Sequence, residues 1–216
     1  MAIQGAGNSG VIWEVSSYKR GLAVCPVGRA PSYSTANITG TMAAALGANS
    51  SIFAMRLDPA AGASYKAYIE QIRIQFTTIV AFTTPITAGR RLALFRGSGA
   101  ATTGGTAVAL AAKKDTADGN SQFNSGEGGD IRIATTAALG VAGITFEADP
   151  LRLMTLVHVG TAGAHYEAVW EFSANVSGGS CVLNQGELFA IRNPAAMDAA
   201  GTWQLGVSVD WYEGNI

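Results

Sequence analysis

Two histidines, two cysteines and one acid-rich stretch are the residues of this chain with types suited to chemistry. His158 and His165 flank Gly160, Thr161, Ala162 and Gly163, a good turn. Closed as a hairpin, that turn sets the two imidazoles side by side or diagonal, with Glu167 as a third zinc ligand. The simpler reading is one half-buried strand histidine and one loop histidine. Cys25 and Cys181 stand far apart in no metal-binding spacing and read as buried or idle thiols. Asp115, Asp118, Asn120, Glu127 and Asp130 offer hard oxygen ligands of the kind calcium takes. Their order and the placement of glycine fail the EF-hand pattern, so a solvated loop is the simpler reading. There is no Gly-x-Ser-x-Gly elbow, and the glycine-rich stretch at 99–105 lacks the Lys-Ser/Thr of a phosphate loop. We therefore expect no enzyme activity and no catalytic, cofactor or metal site.

The composition narrows the class. Charged residues make up 13% of the 216 residues, about half the usual share of a soluble domain, ~25%. Hydrophobic residues reach 48%, glycine numbers 27, and the mean hydropathy is +0.22. Disorder needs the opposite balance, and glycine shows no period of three, which excludes collagen. A net charge of −1 argues against general nucleic-acid binding. No run approaches the roughly 20 apolar residues of a spanning helix, and the first residues lack the basic and apolar regions of a signal peptide. We expect no membrane partner.

The elements that must position these residues are strands. Trp203, Leu205, Val207, Val209 and Trp211 alternate with polar or small residues, the period of a half-buried strand. Tyr166, Ala168, Trp170 and Phe172 alternate with Glu167 and Glu171, and Ile72, Ile74 and Phe76 with Arg73 and Gln75. Further strands are expected at 51–57, 92–95, 131–133, 151–159 and 187–191, and weaker ones at 11–15 and 22–25. Glycine-rich turns separate them, and the one plausible helical turn lies at 42–46. Many strands with almost no amphipathic helix mean an all-β sandwich or barrel. Residues 1–40 read as an extended N-terminal arm and 41–216 as the sandwich domain. The stretch 97–129 reads as a long exposed loop, of the kind that is functional or mobile.

The C-terminal stretch Asn184-Gln185-Gly186-Glu187-Leu188-Phe189-Ala190-Ile191-Arg192, followed by Gly201-Thr202-Trp203-Gln204-Leu205-Gly206-Val207-Ser208-Val209-Asp210-Trp211-Tyr212-Glu213, resembles the ending of a group of tailed-bacteriophage structural proteins. Gly40-Thr41-Met42 onward, Ile52-Phe53-Ala54-Met55-Arg56 and Gly129-Asp130-Ile131-Arg132-Ile133-Ala134 resemble their earlier parts. Gln185 stands where that pattern has an acid. The resemblance is to capsid cement (decoration) proteins. It implies a jelly-roll-like β-sandwich, often a homotrimer, bound to the major capsid protein on the outer surface of the virion head. Low charge agrees with it, since contact surfaces are depleted in Lys, Glu and Asp. Trp13, Tyr18 and Tyr33 are the expected partner-binding anchors of the arm, because aromatics dominate contact energetics. The alternatives are a fibre or tail sandwich that binds host glycans, which would expose aromatics in loops, and a small jelly-roll major capsid protein.

Overall fold

The computed structural model describes residues 12–16, 21–25, 30–83, 90–157, 159–172 and 181–215. Residues 1–30 and 31–216 form two units. The described part of the first is a hairpin, β1 (Ile12–Ser16) antiparallel to β2 (Gly21–Cys25). The second is an all-β antiparallel sandwich of two sheets. The first sheet has six strands: β3 (Ser32–Ile38), β5 (Tyr65–Val80), β8 (Ala112–Lys113), β12 (His165–Glu171), β13 (Cys181–Asn184) and β15 (Thr202–Asn215). The second has seven: β4 (Ser50–Arg56), β6 (Arg90–Gly99), β7 (Thr106–Ala107), β9 (Asp130–Ile133), β10 (Ile144–Phe146), β11 (Arg152–Leu156) and β14 (Glu187–Asn193). Among the described residues the only helical turn is a short 3₁₀ segment, Ser125–Glu127.

Alternation makes the core. Trp203, Leu205, Val207, Val209 and Trp211 of β15 are all buried, as are Ile72, Ile74 and Phe76 of β5 beside them. The same rule buries Phe53 and Met55 of β4, Leu92 and Leu94 of β6, and Phe189 and Ile191 of β14 on the opposing sheet. One cluster unites the two inner faces. Trp203 stacks on Phe76 with ring centroids 5.0 Å apart, and Trp211 packs between Tyr33 and Phe123 at 5.8 and 5.5 Å. β5 carries a bulge: Gln71 faces Asp210 while Ile69 faces Trp211, so Glu70 is the extra residue. Past it the inward set resumes at Ile69 and Ala67, in the opposite parity.

Two expectations are corrected and a third is refined. Residues 31–40 are not arm: β3 pairs along β15, from Tyr212 opposite Ser32 to Gly206 opposite Ile38. Residues 42–46 are not helical. Met42 bridges to Trp203, and Ala45 takes a left-handed φ of 57°. The stretch 97–129 is largely exposed, as expected of a loop, but its end is docked into the fold. Phe123, Ser121 and Asn124 are buried, and the Asn124 side chain accepts the Ala111 N–H at 2.8 Å. Gly129 permits that docking, because a Cβ there would fall 2.5 Å from the Phe123 Cα.

The inward register of β15 runs one step further than the apolar pattern. After Trp211 the next inward residue is Glu213, with no exposed surface. Its Oε1 accepts from the Trp211 indole at 2.6 Å and the Ser121 hydroxyl at 2.5 Å. Its Oε2 accepts from the Tyr65 hydroxyl and the Gln122 N–H, each at 2.9 Å. Four donors satisfy one buried carboxylate, as burial of a charge demands. Replacing Glu213 with Leu strips all four of their acceptor at once. The expected loss is about 3 kcal/mol or more of folding stability, read as a lowered urea midpoint. Arg73→Gln, in an exposed pair, is expected to stay within about 0.5 kcal/mol of wild type.

Candidate interaction surfaces

Among the described residues, those singled out for metal chemistry do not converge. β11 pairs with β6 in the second sheet, whereas β12 pairs with β5 in the first. The turn at 160–163 therefore carries the chain from one sheet to the other and closes no hairpin. His158 lies outside the described residues. His165 is exposed, its Nδ1 3.2 Å from the Thr77 hydroxyl, and Glu167 lies 3.7 Å from Arg73. The acid-rich stretch uses its side chains as ties within the fold. Asp115 accepts from the Ala117 N–H, and Asp118 from the Ser32 N–H at 3.1 Å. Glu127 accepts from Asn120 at 3.0 Å. Asp130 is buried and accepts from Thr102 and, at 2.8 Å, from Arg132. Among the described residues no three His, Cys, Asp or Glu side chains come together as a metal site.

Of the expected anchors, Trp13 lies in β1 opposite Val24, with its side chain outside the described residues, and Tyr18 lies outside them altogether. Tyr33 is in the sandwich core, 1% exposed, and donates to the Gly119 carbonyl at 3.2 Å. Desolvation, with the charges of Glu213 and Asp118, pushes its phenol up to about 12. Cys25 is the last residue of β2, and its side chain lies outside the described residues. Cys181 is buried in β13, and burial pushes its thiol up to about 12.

Among the described residues, the two outer sheet faces offer broad surface to a partner. On the first sheet, small and polar residues predominate. Ala36, Ile38, Arg73, Gln75, Gly206 and Ser208 line a shallow trough whose floor, at Gly206, has no side chain. Further along the same face Lys114 sits 2.8 Å from Asp210 and 3.9 Å from Glu70, beside Glu171.

The outer face of the second sheet is different. Ala54, Ala93 and Ala190 point outward by alternation yet are 1% exposed or less. Arginines on the same face stand beside them: Arg132 is opposite Ala54, and Arg192 is opposite Ala93. Arg192 lies 4.1 Å over the Phe146 ring and 5.2 Å over Phe95. Long arginine stems can cover apolar surface while the head stays near water. Each also ties a loop: Arg56 donates to Gly99, Arg132 to Gly104 and Arg192 to Asn49 carbonyls, at 2.8, 3.1 and 2.6 Å. Arg91, opposite Thr155, completes the group. Sequence reading did not bring these four arginines together, because they lie on four separate strands. The available signal was an arginine at an outward position of each.

No family model matches the chain, and no curated protein sequence matches it.

The raised Tyr33 and Cys181, together with the still more raised Tyr65, weaken the fold in alkali. Tyr33 and Cys181 ionise more readily in the unfolded chain, from near 10 and 9. The native state then holds the extra protons, and stability falls as pH rises. Stability should hold to about pH 9 and decline steadily toward pH 12, measured as the denaturant midpoint against pH. At pH 8 Cys181 should resist iodoacetamide in the folded protein and react once urea unfolds it, checked on the peptide that contains it.

Proposed function

We propose that the chain is a non-enzymatic structural protein of a tailed-phage virion. It is a cement subunit that binds and stabilises the shell of major capsid protein from outside. The observation that carries this reading is how the polar side chains are used. Glu213, Asp130, Asp118 and Asn124 are spent on holding loops to the sandwich. The described surface offers two broad sheet faces in place of a cleft with convergent reactive groups. Such faces suit protein contact. The motif resemblance along residues 40–213 supplies the head shell as the partner, and self-association as a homotrimer belongs to the same reading. The glycan-binding alternative is weakened by the tryptophans of the sandwich. Trp170, Trp203 and Trp211 are 7% exposed or less, so none offers a ring to a sugar.

The test is attachment. Purified protein mixed with shells that lack it should co-sediment with them to a saturating copy number. It should also raise the temperature at which the shells come apart. Deleting residues 1–30 should leave a folded sandwich and abolish attachment if the hairpin unit acts as the arm. The cut belongs at 30, because β3 begins at Ser32. Wild-type attachment by this truncation would remove the arm from the mechanism. Absence of any attachment, together with glycan-array binding, would replace the reading.

A further inference from the structure

The arginine face of the second sheet has no counter-charge to match it. Among the strand positions of this face, Arg56, Arg91, Arg132 and Arg192 stand with one carboxylate, Asp130, which is already bonded to Thr102 and Arg132. Among the described residues Arg56, Arg91 and Arg192 have no carboxylate within ion-pair distance. In a chain with 14 basic residues, gathering four on one sheet face is a concentration of positive charge. The four residues are half-buried; Arg56, Arg132 and Arg192 each hold one backbone carbonyl and keep further N–H donors, and the Arg91 Nε is buried with no partner among the described residues. They are held over a bed of alanine beside Phe95, with exposed Leu153 at the edge strand. Arginine fixed in this way recognises carboxylates in a paired geometry, which lysine does not.

We propose that this face is the docking surface for an acidic surface of a partner protein, whose carboxylates pair with Arg56, Arg91, Arg132 and Arg192. The inference rests on the shell-binding reading and deepens it by naming the face turned toward the shell. Three other occupants fit less well. Residues 1–30 carry Lys19, Arg20 and Arg29 against Glu14, the wrong sign to cover arginines. The acids that a second copy gathers in one place are Glu70, Glu171 and Asp210. Those lie on the opposite face of the sandwich, so the contact would be head to tail and would not pair this face with itself. Nucleic acid asks for a surplus of lysine and arginine over the whole domain, and the net charge here is −1. The sheet face is large enough for the task. Its seven strands, of unequal length, at about 3.3 Å per residue and about 4.8 Å between strands, span roughly 600 Å², close to the ~800 Å² per partner of a standard interface.

The test compares wild type with Arg56→Glu/Arg91→Glu in co-sedimentation with shells, with Arg73→Glu on the opposite face as control. A thermal melt first confirms that each variant folds. If the double variant does not fold, Arg91→Glu alone, whose side chain ties no loop carbonyl, takes its place. The expected result is about a tenfold or greater loss of shell affinity for the double variant, with Arg73→Glu within twofold of wild type. Wild-type binding should weaken with salt. Equal binding by the folded double variant overturns the proposal, as does equal loss in the control. Two further outcomes overturn it by naming another occupant. One is competition by duplex DNA that outdoes an octaglutamate peptide. The other is wild-type self-association, seen by sedimentation velocity, that the double variant loses. Should wild type not bind shells at all, the shell reading falls separately. The face is then judged on octaglutamate alone: salt-sensitive binding by wild type and not by the double variant supports it, and no binding overturns it.

Discussion

A carboxylate with no exposed surface closes one end of the sandwich. Glu213 brings together β15, β5 and the stretch around Ser121 and Gln122, because its four donors come from those three segments. A buried charge costs several kcal/mol unless its lone pairs are filled, so the segments must dock together or not at all. Docking places Phe123 edge-on against Trp211, at an interplanar angle of 81°, and leaves Tyr33 on the other side of the indole. The Tyr33 hydroxyl then reaches Gly119, and Ser32 reaches Asp118. Each contact depends on the one before it. Burial first, and then the same charge, raise the pKa values of Tyr33 and Tyr65, which keeps both phenols protonated as donors.

This arrangement shows which parts of the fold can be read from a sequence. Where a strand has one buried and one solvated face, side-chain type reports the face, and β15, β12 and the middle of β5 were legible for that reason. β3 was not. Its sequence, Ser-Tyr-Ser-Thr-Ala-Asn-Ile, puts Tyr33 and Thr35 inward and leaves Ile38 64% exposed at its end. Polar and apolar residues there do not sort by face, so β3 resembled an arm. The bulge at Glu70 hid the first third of β5 by reversing parity in mid-strand. At 42–46 alanine propensity pointed to a helix. The tertiary bridge from Met42 to Trp203 and the left-handed Ala45 prevailed.

Sheet membership was the least legible property. The turn at 160–163 has good hairpin chemistry, yet the strands on either side belong to different sheets. Local sequence encodes the turn, but the choice of sheet is made by burial of Met154 and Leu156 against one side of the core and Trp170 against the other. The same limitation hid the arginine face. Residues 56, 91, 132 and 192 become neighbours only through the register of β4, β6, β9 and β14.

The low charge of the chain takes on a definite meaning from these placements. Charge is sorted as well as scarce. Part of it sits in buried ties, at Glu213, Asp130 and in the Arg90–Asp198 pair at 3.2 Å. Part sits in exposed pairs such as Arg96–Glu147 at 2.7 Å, worth little to stability. The arginines of the second sheet fit neither use. Backbone carbonyls hold Arg56, Arg132 and Arg192, and the Phe95 and Phe146 rings lie under Arg192, so these side chains are in place before any partner arrives. A side chain already ordered loses less entropy on binding. A face of this kind therefore provides stability to the free subunit and low-cost recognition to the bound one. A lysine at the same positions, with its mobile point charge, would do neither as well.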